Sequence, residues 1–157
     1  VNDSPVLTTI GDQSTLEDSL LTLTLSSIDI DGDTLSYSAL SDNGDVSVSV
    51  VDDELTLTPS EDYNGTAAVT VTVSDGILTD SKTFILTITP VNDSPVLTTI
   101  GAQSTLEDSL LILTLSSTDI DGDSLSYSAV SDNESVTISV AGEDLFINIL
   151  RHYYWVT

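Results

Sequence analysis

The sequence predicts an all-β fold: a two-sheet sandwich of seven strands that is repeated in tandem, with the second copy incomplete. Three observations support this prediction. Apolar and hydroxyl-bearing residues alternate with a period of two, turn-forming residues separate the alternating runs, and the first part of the sequence recurs 90 residues later. Successive strand side chains point to opposite faces, so each run has one apolar face, and two sheets bury these faces by packing together.

Seven alternating runs account for the strands of the first copy. Their order along the chain is 6–10, 21–25, 35–39, 46–50, 55–57, 69–73 and 83–89. Most of them contain Val or Thr, whose β-branched side chains favour a pleated backbone. Turn-forming residues lie between runs at 31–33, 42–44, 64–65 and 75–76, and no stretch has the periodicity of a helix.

The 90-residue period indicates a small domain copied in tandem. Residues 1–10 recur unchanged at 91–100, and 42 of the first 55 residues are identical one period later. We therefore expect a first repeat at 1–92 and a second at 93–157. Pro90 and Pro95 flank the connection between the repeats, which predicts a short and stiff linker.

The second copy follows the first as far as Leu145 and then departs from it. Residues 146–157 replace the sequence expected there and contain the chain's single His, single Trp and single Arg. A shifted reading frame or an artificial end of the sequence is our hypothesis for this atypical tail. In either case the second copy lacks its last strands, so we expect it to fold poorly alone or to be completed by a strand of another chain.

The composition excludes several functions. Asp and Glu number 26 against two Lys and Arg, which gives a formal net charge of −24. Nucleic acid and anionic lipid both require a basic face, so neither is an expected partner. The absence of Cys excludes disulfides and thiolate sites. No apolar run approaches the ~20 residues that cross a bilayer, so direct membrane insertion is not expected. The given residues contain no signal-peptide pattern, and we expect the chain to be a piece of a longer polypeptide whose targeting segment lies outside it.

The acidic residues cluster at the ends of predicted strands, at 17–18, 29–33, 61–62, 75 and 92–93. Two carboxylates ~4 Å apart repel by ~1 kcal/mol in water and by more near protein, so such clusters favour a bound cation. Oxygen ligands without His or Cys select Ca²⁺ over zinc or copper. The 29–33 stretch is not an EF-hand loop, because its Gly is fourth and its twelfth position is Leu40. An acidic turn that only keeps the protein soluble is the alternative for any single cluster.

Four motifs occur in a fixed order along the first copy and the linker that follows it. They are Glu-Asp at 17–18, Asp-x-Asp-Gly-x-x-Leu-x-Tyr at 29–37, Val-x-Val-x-Asp-Gly at 71–76 and Val-Asn-Asp-x-Pro at 91–95. In this order the motifs resemble a cadherin-type repeat and, more narrowly, the cadherin-like repeats of large bacterial surface and biofilm adhesins. The resemblance implies a Greek-key (Ig/cadherin-like) sandwich, Ca²⁺ between successive domains and a secreted or cell-surface location. It also implies that the chain is a structural repeat made rigid by Ca²⁺, with neighbouring repeats of the same polypeptide as its partners.

The resemblance also assigns candidate Ca²⁺ ligands in two groups. At the junction between the copies they are Glu17, Glu61, Asn92, Asp93, Asp119 and Asp121. At the other end of the first copy, half of a second site, which a preceding repeat would complete, would consist of Asn2, Asp29, Asp31 and Asp75.

The alternative function is a direct glycan- or protein-binding adhesive module. Such a module would present exposed aromatic side chains, whereas Tyr37 and Phe84 are predicted on apolar faces. Catalysis is not expected: Glu17 and Glu61 could mimic a glycosidase acid pair, but acids of this kind recur with the repeat, and His152 has no paired nucleophile. Ice binding through rows of Thr is disfavoured, because outward Thr residues on strands are usually ordinary solvated sheet.

Overall fold

The structure, a computed structural model, describes residues 1–150. It divides into two compact units, Val1–Val91 and Asn92–Thr157, one residue before the expected division. Every regular element is a β-strand, and residues 1–150 contain no helix, which confirms the all-β prediction. None of the described residues forms a helix able to cross a membrane.

The first unit contains nine strands. They are β1 (Val6–Leu7), β2 (Gln13–Leu16), β3 (Leu21–Thr24), β4 (Ser27–Ile28), β5 (Ser36–Ser41), β6 (Val46–Val51), β7 (Glu54–Pro59), β8 (Gly65–Ser74) and β9 (Thr79–Thr89). One sheet has the strand order β2-β9-β8-β5, the other has the order β3-β7-β6, and β1 pairs with β4. All neighbouring strands are antiparallel except β2 and β9, which are parallel.

The apolar faces of the two sheets form one core. β8 contributes Val69, Val71 and Val73, which are completely buried, while the residues between them are only partly buried. The opposite sheet contributes Leu55 and Leu57 from β7, which are also completely buried. Burying each side chain of this size stabilises the fold by about 1.5–3 kcal/mol, so the alternation seen in the sequence is what holds the two sheets together.

Two of the predicted strands are shorter or divided in the structure. The 6–10 run forms only β1, and the 21–25 run ends at Thr24, after which β4 pairs with β1. β2 was not predicted, because its polar sequence has no apolar alternation; it forms because its backbone pairs with β9. Nine strands therefore replace the seven predicted, while the two-sheet sandwich is confirmed.

The second unit contains fewer strands in its described part. They are β10 (Val96–Leu97), β11 (Leu110–Thr114), β12 (Ser117–Thr118), β13 (Val136–Ala141) and β14 (Asp144–Ile149). β11, β14 and β13 form one antiparallel sheet in that order, and β10 pairs with β12. The first residues of the atypical tail, 146–149, belong to β14, whereas 151–157, including His152, lie outside the described residues.

Candidate metal-binding sites at the ends of the first unit

Two groups of oxygen-bearing side chains lie at opposite ends of the β8–β9 hairpin in the first unit. The pairing of Ser74 with Thr79 marks one end of the hairpin, and the pairing of Gly65 with Ile88 marks the other. The entry cluster, near the first end, consists of Asn2, Asp29, Asp31, Asp33 and Asp75. The exit cluster, near the second end, consists of Glu17, Asp18, Asp62 and Asn64.

Glu17 is the centre of the exit cluster. It follows β2 directly, and because β2 runs parallel to β9, both strands end on the same side of the sheet. The Glu17 N–H donates to Thr89 O at 2.9 Å. The residue is only 2% exposed, and its carboxylate accepts hydrogen bonds from Val91 N–H at 2.5 Å and from Asn64 Nδ2 at 3.4 Å. A carboxylate is rarely buried unless its charge is compensated.

Asp18 and Asp62 extend the exit cluster, and both have left-handed backbones with φ of 58° and 56°. Asp18 Oδ1 accepts the Asp62 N–H at 3.0 Å, which joins the turn after β2 to the turn before β8. The predicted ligand Glu61 is exposed at the same turn, beside these contacts. The structure therefore adds Asp18, Asp62 and Asn64 to the sequence-predicted residues at this end.

The entry cluster is built on the turn that follows β4. Asp29 Oδ1 accepts the N–H groups of Asp31 at 2.9 Å and of Asp33 at 3.3 Å. One carboxylate oxygen from each of these three residues lies within 4.8 Å of the others. Asp29 Oδ2 is buried and has no hydrogen-bond partner among the described residues. A buried oxygen without a donor is costly, and a cation would satisfy it.

Asn2 and Asp75 complete the entry cluster. Asn2 Nδ2 donates to Asp75 Oδ2 at 2.8 Å, and the Asp3 N–H donates to Asp31 Oδ2 at 2.7 Å. The N–H groups of Leu78 and Ile77 donate to Asp75 Oδ1, each at 2.7 Å, and hold the pKa of Asp75 below its ordinary value. The structure thus brings together the four residues predicted at this end and adds Asp33, which the Asp-x-Asp-Gly-Asp spacing already contained.

The second unit repeats part of this arrangement near its own start. The Asp93 N–H donates to Asp121 Oδ2 at 2.7 Å, as the Asp3 N–H does to Asp31. The Asp123 N–H donates to Asp119 Oδ1 at 3.0 Å, and Asn92 Nδ2 donates to Asp93 O at 3.0 Å. The predicted residues of this unit, Asn92, Asp93, Asp119 and Asp121, therefore occupy the positions that correspond to Asn2, Asp3, Asp29 and Asp31.

The donor chemistry of these groups fits Ca²⁺. Every member offers a carboxylate or amide oxygen, and neither Cys nor His is present in the clusters, which suits a hard cation. Ca²⁺ takes 6–8 oxygen ligands, and at one oxygen for each side chain the five residues of the entry cluster and the four of the exit cluster would each supply fewer. Water or a neighbouring segment would have to supply the rest.

The strand orders of the first unit define an immunoglobulin-like sandwich. The profile of the bacterial Ig domain family matches residues 2–89, more than half of the chain, and the chain belongs to this family.

Individual proteins also resemble the chain, at sequence identities of 19% to 30%. Chitinase A of Pseudoalteromonas piscicida is 30% identical over 136 residues, which is 81% of this chain and 16% of the length of that protein. The solved structure of human protocadherin-24 EC1-2 (form II) covers 92% of this chain and 79% of its own, at 20% identity and a TM-score of 0.55. An endo-fucoidan hydrolase of glycoside hydrolase family 107 covers 94% of this chain and 24% of its own, at 19% identity and a TM-score of 0.48.

Proposed function

We propose that this chain is a structural repeat of an extracellular bacterial adhesin that Ca²⁺ binding makes rigid, and that the repeat itself performs no catalysis. The single observation that carries the proposal is the buried Asp29 Oδ2, which has no hydrogen-bond partner within residues 1–150 and lies beside the carboxylates of Asp31 and Asp33. Membership of the bacterial Ig domain family supports a spacer role in a surface protein.

The net charge supports a cation-dependent repeat. At −24 the chain repels itself, and this repulsion opposes a compact state unless counter-ions are bound. Acids grouped at the strand ends would repel most strongly where one repeat follows another. A divalent ion in each group would remove this repulsion and fix the loops that carry the ligands.

The exit cluster lies next to the linker, so an ion bound there would restrict the movement of the linker. Val91 donates to the buried Glu17, and Asn92 and Asp93 are the next residues of the chain. We propose that Ca²⁺ is shared by Glu17, Glu61, Asn92, Asp93, Asp119 and Asp121, and that the linker loses its freedom when the ion binds. Two observations support this site. Each unit carries several of these oxygen ligands, and the chain runs directly from one set to the other. The entry cluster would accept the matching ligands of a preceding repeat.

Calorimetric titration with Ca²⁺, together with thermal melting, tests the proposal. We expect heat of binding, a melting temperature that rises in millimolar Ca²⁺, and reversal by chelator, because a ligand that binds only the folded state stabilises it. Glu17→Gln should weaken Ca²⁺ binding at least tenfold, since it removes a charged ligand. The matched control is Glu107→Gln, which alters the exposed counterpart in the second unit and should leave binding unchanged. An unchanged melting curve across millimolar Ca²⁺ would refute the proposal.

Asp93→Ala tests separately whether Ca²⁺ binding makes the linker stiffer. We expect the substitution to loosen the linker in Ca²⁺, whereas in Ca²⁺-free solution it should change the unfolding of the first unit by less than ~0.5 kcal/mol, because Asp93 belongs to the second unit. Small-angle scattering with and without Ca²⁺ measures the maximum dimension of both variants. Identical dimensions in wild type under the two conditions would contradict the stiffening.

A spacer in a secreted polysaccharide-degrading enzyme is the second candidate, because the chain matches 16% of the length of Chitinase A. The Ca²⁺-dependent spacer role would be the same in either parent protein. Direct glycan binding by the first unit receives less support, because Phe84 is buried and the hydroxyls of Tyr37 and Tyr63 are hydrogen-bonded to Ser27 and Asn43. Binding of the chain to insoluble chitin or to a glycan array would favour this alternative.

A further inference from the structure

We propose that β6 of the first unit is a self-association site, at which it pairs antiparallel with β6 of a second copy of the chain. The two strands would meet around a two-fold axis at Val48 and would extend the β3-β7-β6 sheet from one copy into the other. Main-chain hydrogen bonds supply the affinity of such a pairing, and the alternation of side chains fixes its register. The pairing does not depend on Ca²⁺.

β6 has a free backbone edge in a unit whose other strands are already in place. It pairs continuously with β7 over residues 46–51, and no described strand lies on its other side. Its sequence, Val-Ser-Val-Ser-Val-Val, contains no charged residue, Pro or Gly. Edge strands are usually protected by charged residues, Pro or a bulge, and an uncharged β-branched segment of this length is prone to pair with a like strand. The edge is therefore open to a further strand.

The other edge strands of the first unit are less suited to pairing. β2 and β3 have four residues each, which limits the number of backbone hydrogen bonds. β5 has six residues, but none of them is β-branched, and β-branched residues favour a pleated backbone. β6 is therefore the edge that the sequence favours most.

A two-fold axis at Val48 matches the two faces of β6 with those of its copy. Directly opposed residues of an antiparallel pair lie on the same face, so core positions must meet core positions. With Val48 on the axis, Val46 would lie opposite Val50 on the core face. Ser47 would then lie opposite Ser49 on the outer face, where both are exposed. Val48 and Val50 are only half-buried at this edge and pack against the core, so the second strand would cover them.

The acids that border β6 favour the same register. The chain carries a net charge of −24, so a second copy approaches most easily where acids do not meet. In the register described, Asp45 would lie opposite Val51. Asp52 would lie opposite Gly44 in the same way. A shift by two residues in one direction would place Asp45 opposite Asp53, and like charges directly opposite are destabilising. A shift in the other direction would pair only three residues of β6.

The second unit keeps these features in a changed sequence. β13 reads Val-Thr-Ile-Ser-Val-Ala, which differs from β6 at three of six positions without adding a charge. Among the described residues β13 also lies at the edge of its sheet. With Ile138 on a two-fold axis, Glu134 would lie opposite Gly142, so the acid that borders this strand again meets no acid. Weak pairings at successive repeats would strengthen one another when several form at once.

Cysteine cross-linking tests the register on the full chain, which contains no Cys of its own. We expect Ser47→Cys and Ser49→Cys, mixed in chelator, to form the mixed disulfide about tenfold faster than either variant forms its own dimer. The reason is that opposed residues of an antiparallel pair lie within disulfide reach, whereas positions displaced by two residues do not. Ser36→Cys mixed with Ser38→Cys on β5, where both serines are equally exposed, measures random collisions.

Charge variants test the affinity, which NMR diffusion measures in chelator. Five paired residues bury far less area than a standard interface, so we expect a dissociation constant on the order of 1 mM. Ser47→Glu combined with Ser49→Glu places acids opposite each other and should weaken the dimer about fivefold or more. The matched control, Ser36→Glu combined with Ser38→Glu, changes the net charge equally and should leave the dimer unchanged.

Two further measurements sharpen this test. A chain with Ser47→Lys and Ser49→Lys, mixed with the Glu variant, should restore association, because Lys then lies opposite Glu. Raising NaCl from about 0.05 M to about 0.5 M should tighten the dimer, because salt screens the repulsion between two acidic chains. All chains compared, the reference included, carry Thr137→Glu and Ser139→Glu so that β13 does not contribute.

Three results would overturn the proposal. The first is a mixed disulfide between positions 47 and 49 that forms no faster than the single-variant dimers or the β5 pair. The second is a dimer that the Glu substitutions in β6 leave unchanged, which would place self-association elsewhere on the chain. The third is a monomer at about 1 mM chain in about 0.5 M NaCl, which would exclude a second copy as the partner of β6.

Discussion

Leu7 and Leu97 are the same residue within an unchanged stretch of ten, yet Leu7 is 2% exposed and Leu97 is 52% exposed. Glu17 and Glu107 differ in the same way, since the first is buried and the second is exposed. The two units thus provide a natural comparison in which local sequence is constant and tertiary surroundings change. Burial at these positions is a property of the complete sandwich and not of the segment itself.

The difference is explained by β9. In the first unit the Leu7 N–H donates to Asp80 Oδ2 at 3.0 Å, and β2 pairs along β9 from Leu86 to Thr89. The described part of the second unit has no counterpart of β9. Accordingly, residues 103–106 form no strand there, although their sequence is that of β2. A strand without a buried apolar face needs its backbone partner in order to form.

The largest expected effect comes from truncating the two matched leucines. Leu7→Ala should reduce the free energy of unfolding of the first unit by about 2–5 kcal/mol, because it leaves a cavity in a packed core. Leu97→Ala should have a much smaller effect on the second unit, about 0.5 kcal/mol, because Leu97 is already 52% exposed. Urea unfolding followed by residue-resolved NMR measures each unit separately. Equal losses in both units would show that the two environments do not differ as described.

An intermediate effect is expected at Gly65, whose φ is 150° and where an added Cβ would lie 2.5 Å from Tyr63 Oη. Gly65→Ala should destabilise the first unit by about 1–3 kcal/mol through backbone strain and displacement of the Tyr63 ring. Gly44→Ala is the matched control, because a Cβ there meets nothing within 4 Å. The repeat places Trp155 at the counterpart of Gly65. Thermal melting of the two variants measures the effect, and a Gly65→Ala variant as stable as Gly44→Ala would contradict the expected strain.

The smallest expected effect is a pH dependence confined to the first unit. The Leu7 N–H and then the Lys82 ammonium hold the pKa of Asp80 below its ordinary value near 3.8. Because the folded pKa is the lower one, this contribution to stability is present above about pH 4 and is lost as the pH falls through the folded pKa. Asp80→Asn should therefore make the unfolding of the first unit less sensitive to acid in this range.

Acid titration of both variants, followed by NMR signals of β8 and β11, checks this expectation. Signals from the second unit should not respond to Asp80→Asn. An unaltered acid transition of the first unit in the variant would mean that the Asp80 contact does not contribute to stability.

Period-two alternation predicted most of the fold because it encodes which face of each strand is apolar. The buried valines of β8 and the buried Phe84 and Leu86 of β9 lie where this pattern placed them. β2 was missed because its backbone, and not its side chains, secures it to the sheet. β4 and its counterpart β12 were missed for the same reason, since two-residue strands carry no periodic signal.

The candidate site was predictable to a similar extent. The spacing of Asp29, Asp31 and Asp33 places their carboxylates on one turn, so the sequence alone indicated that they converge. The pairing of Asn2 with Asp75 was suggested only by the family resemblance, because these residues are 73 positions apart. Glu61 and Asp62 could not be distinguished by sequence, since only the backbone of the turn decides which of them meets Asp18.

The sequence by itself determined the strand pattern, the acidic strand ends and the 90-residue repeat, because these depend on residue type and spacing along the chain. Only the tertiary structure decided which of two identical segments becomes a strand and which of two identical acids is buried. The physical reason is that a strand and a desolvated carboxylate both require hydrogen-bond partners from distant parts of the chain. The first unit contains these partners, and the described part of the second does not.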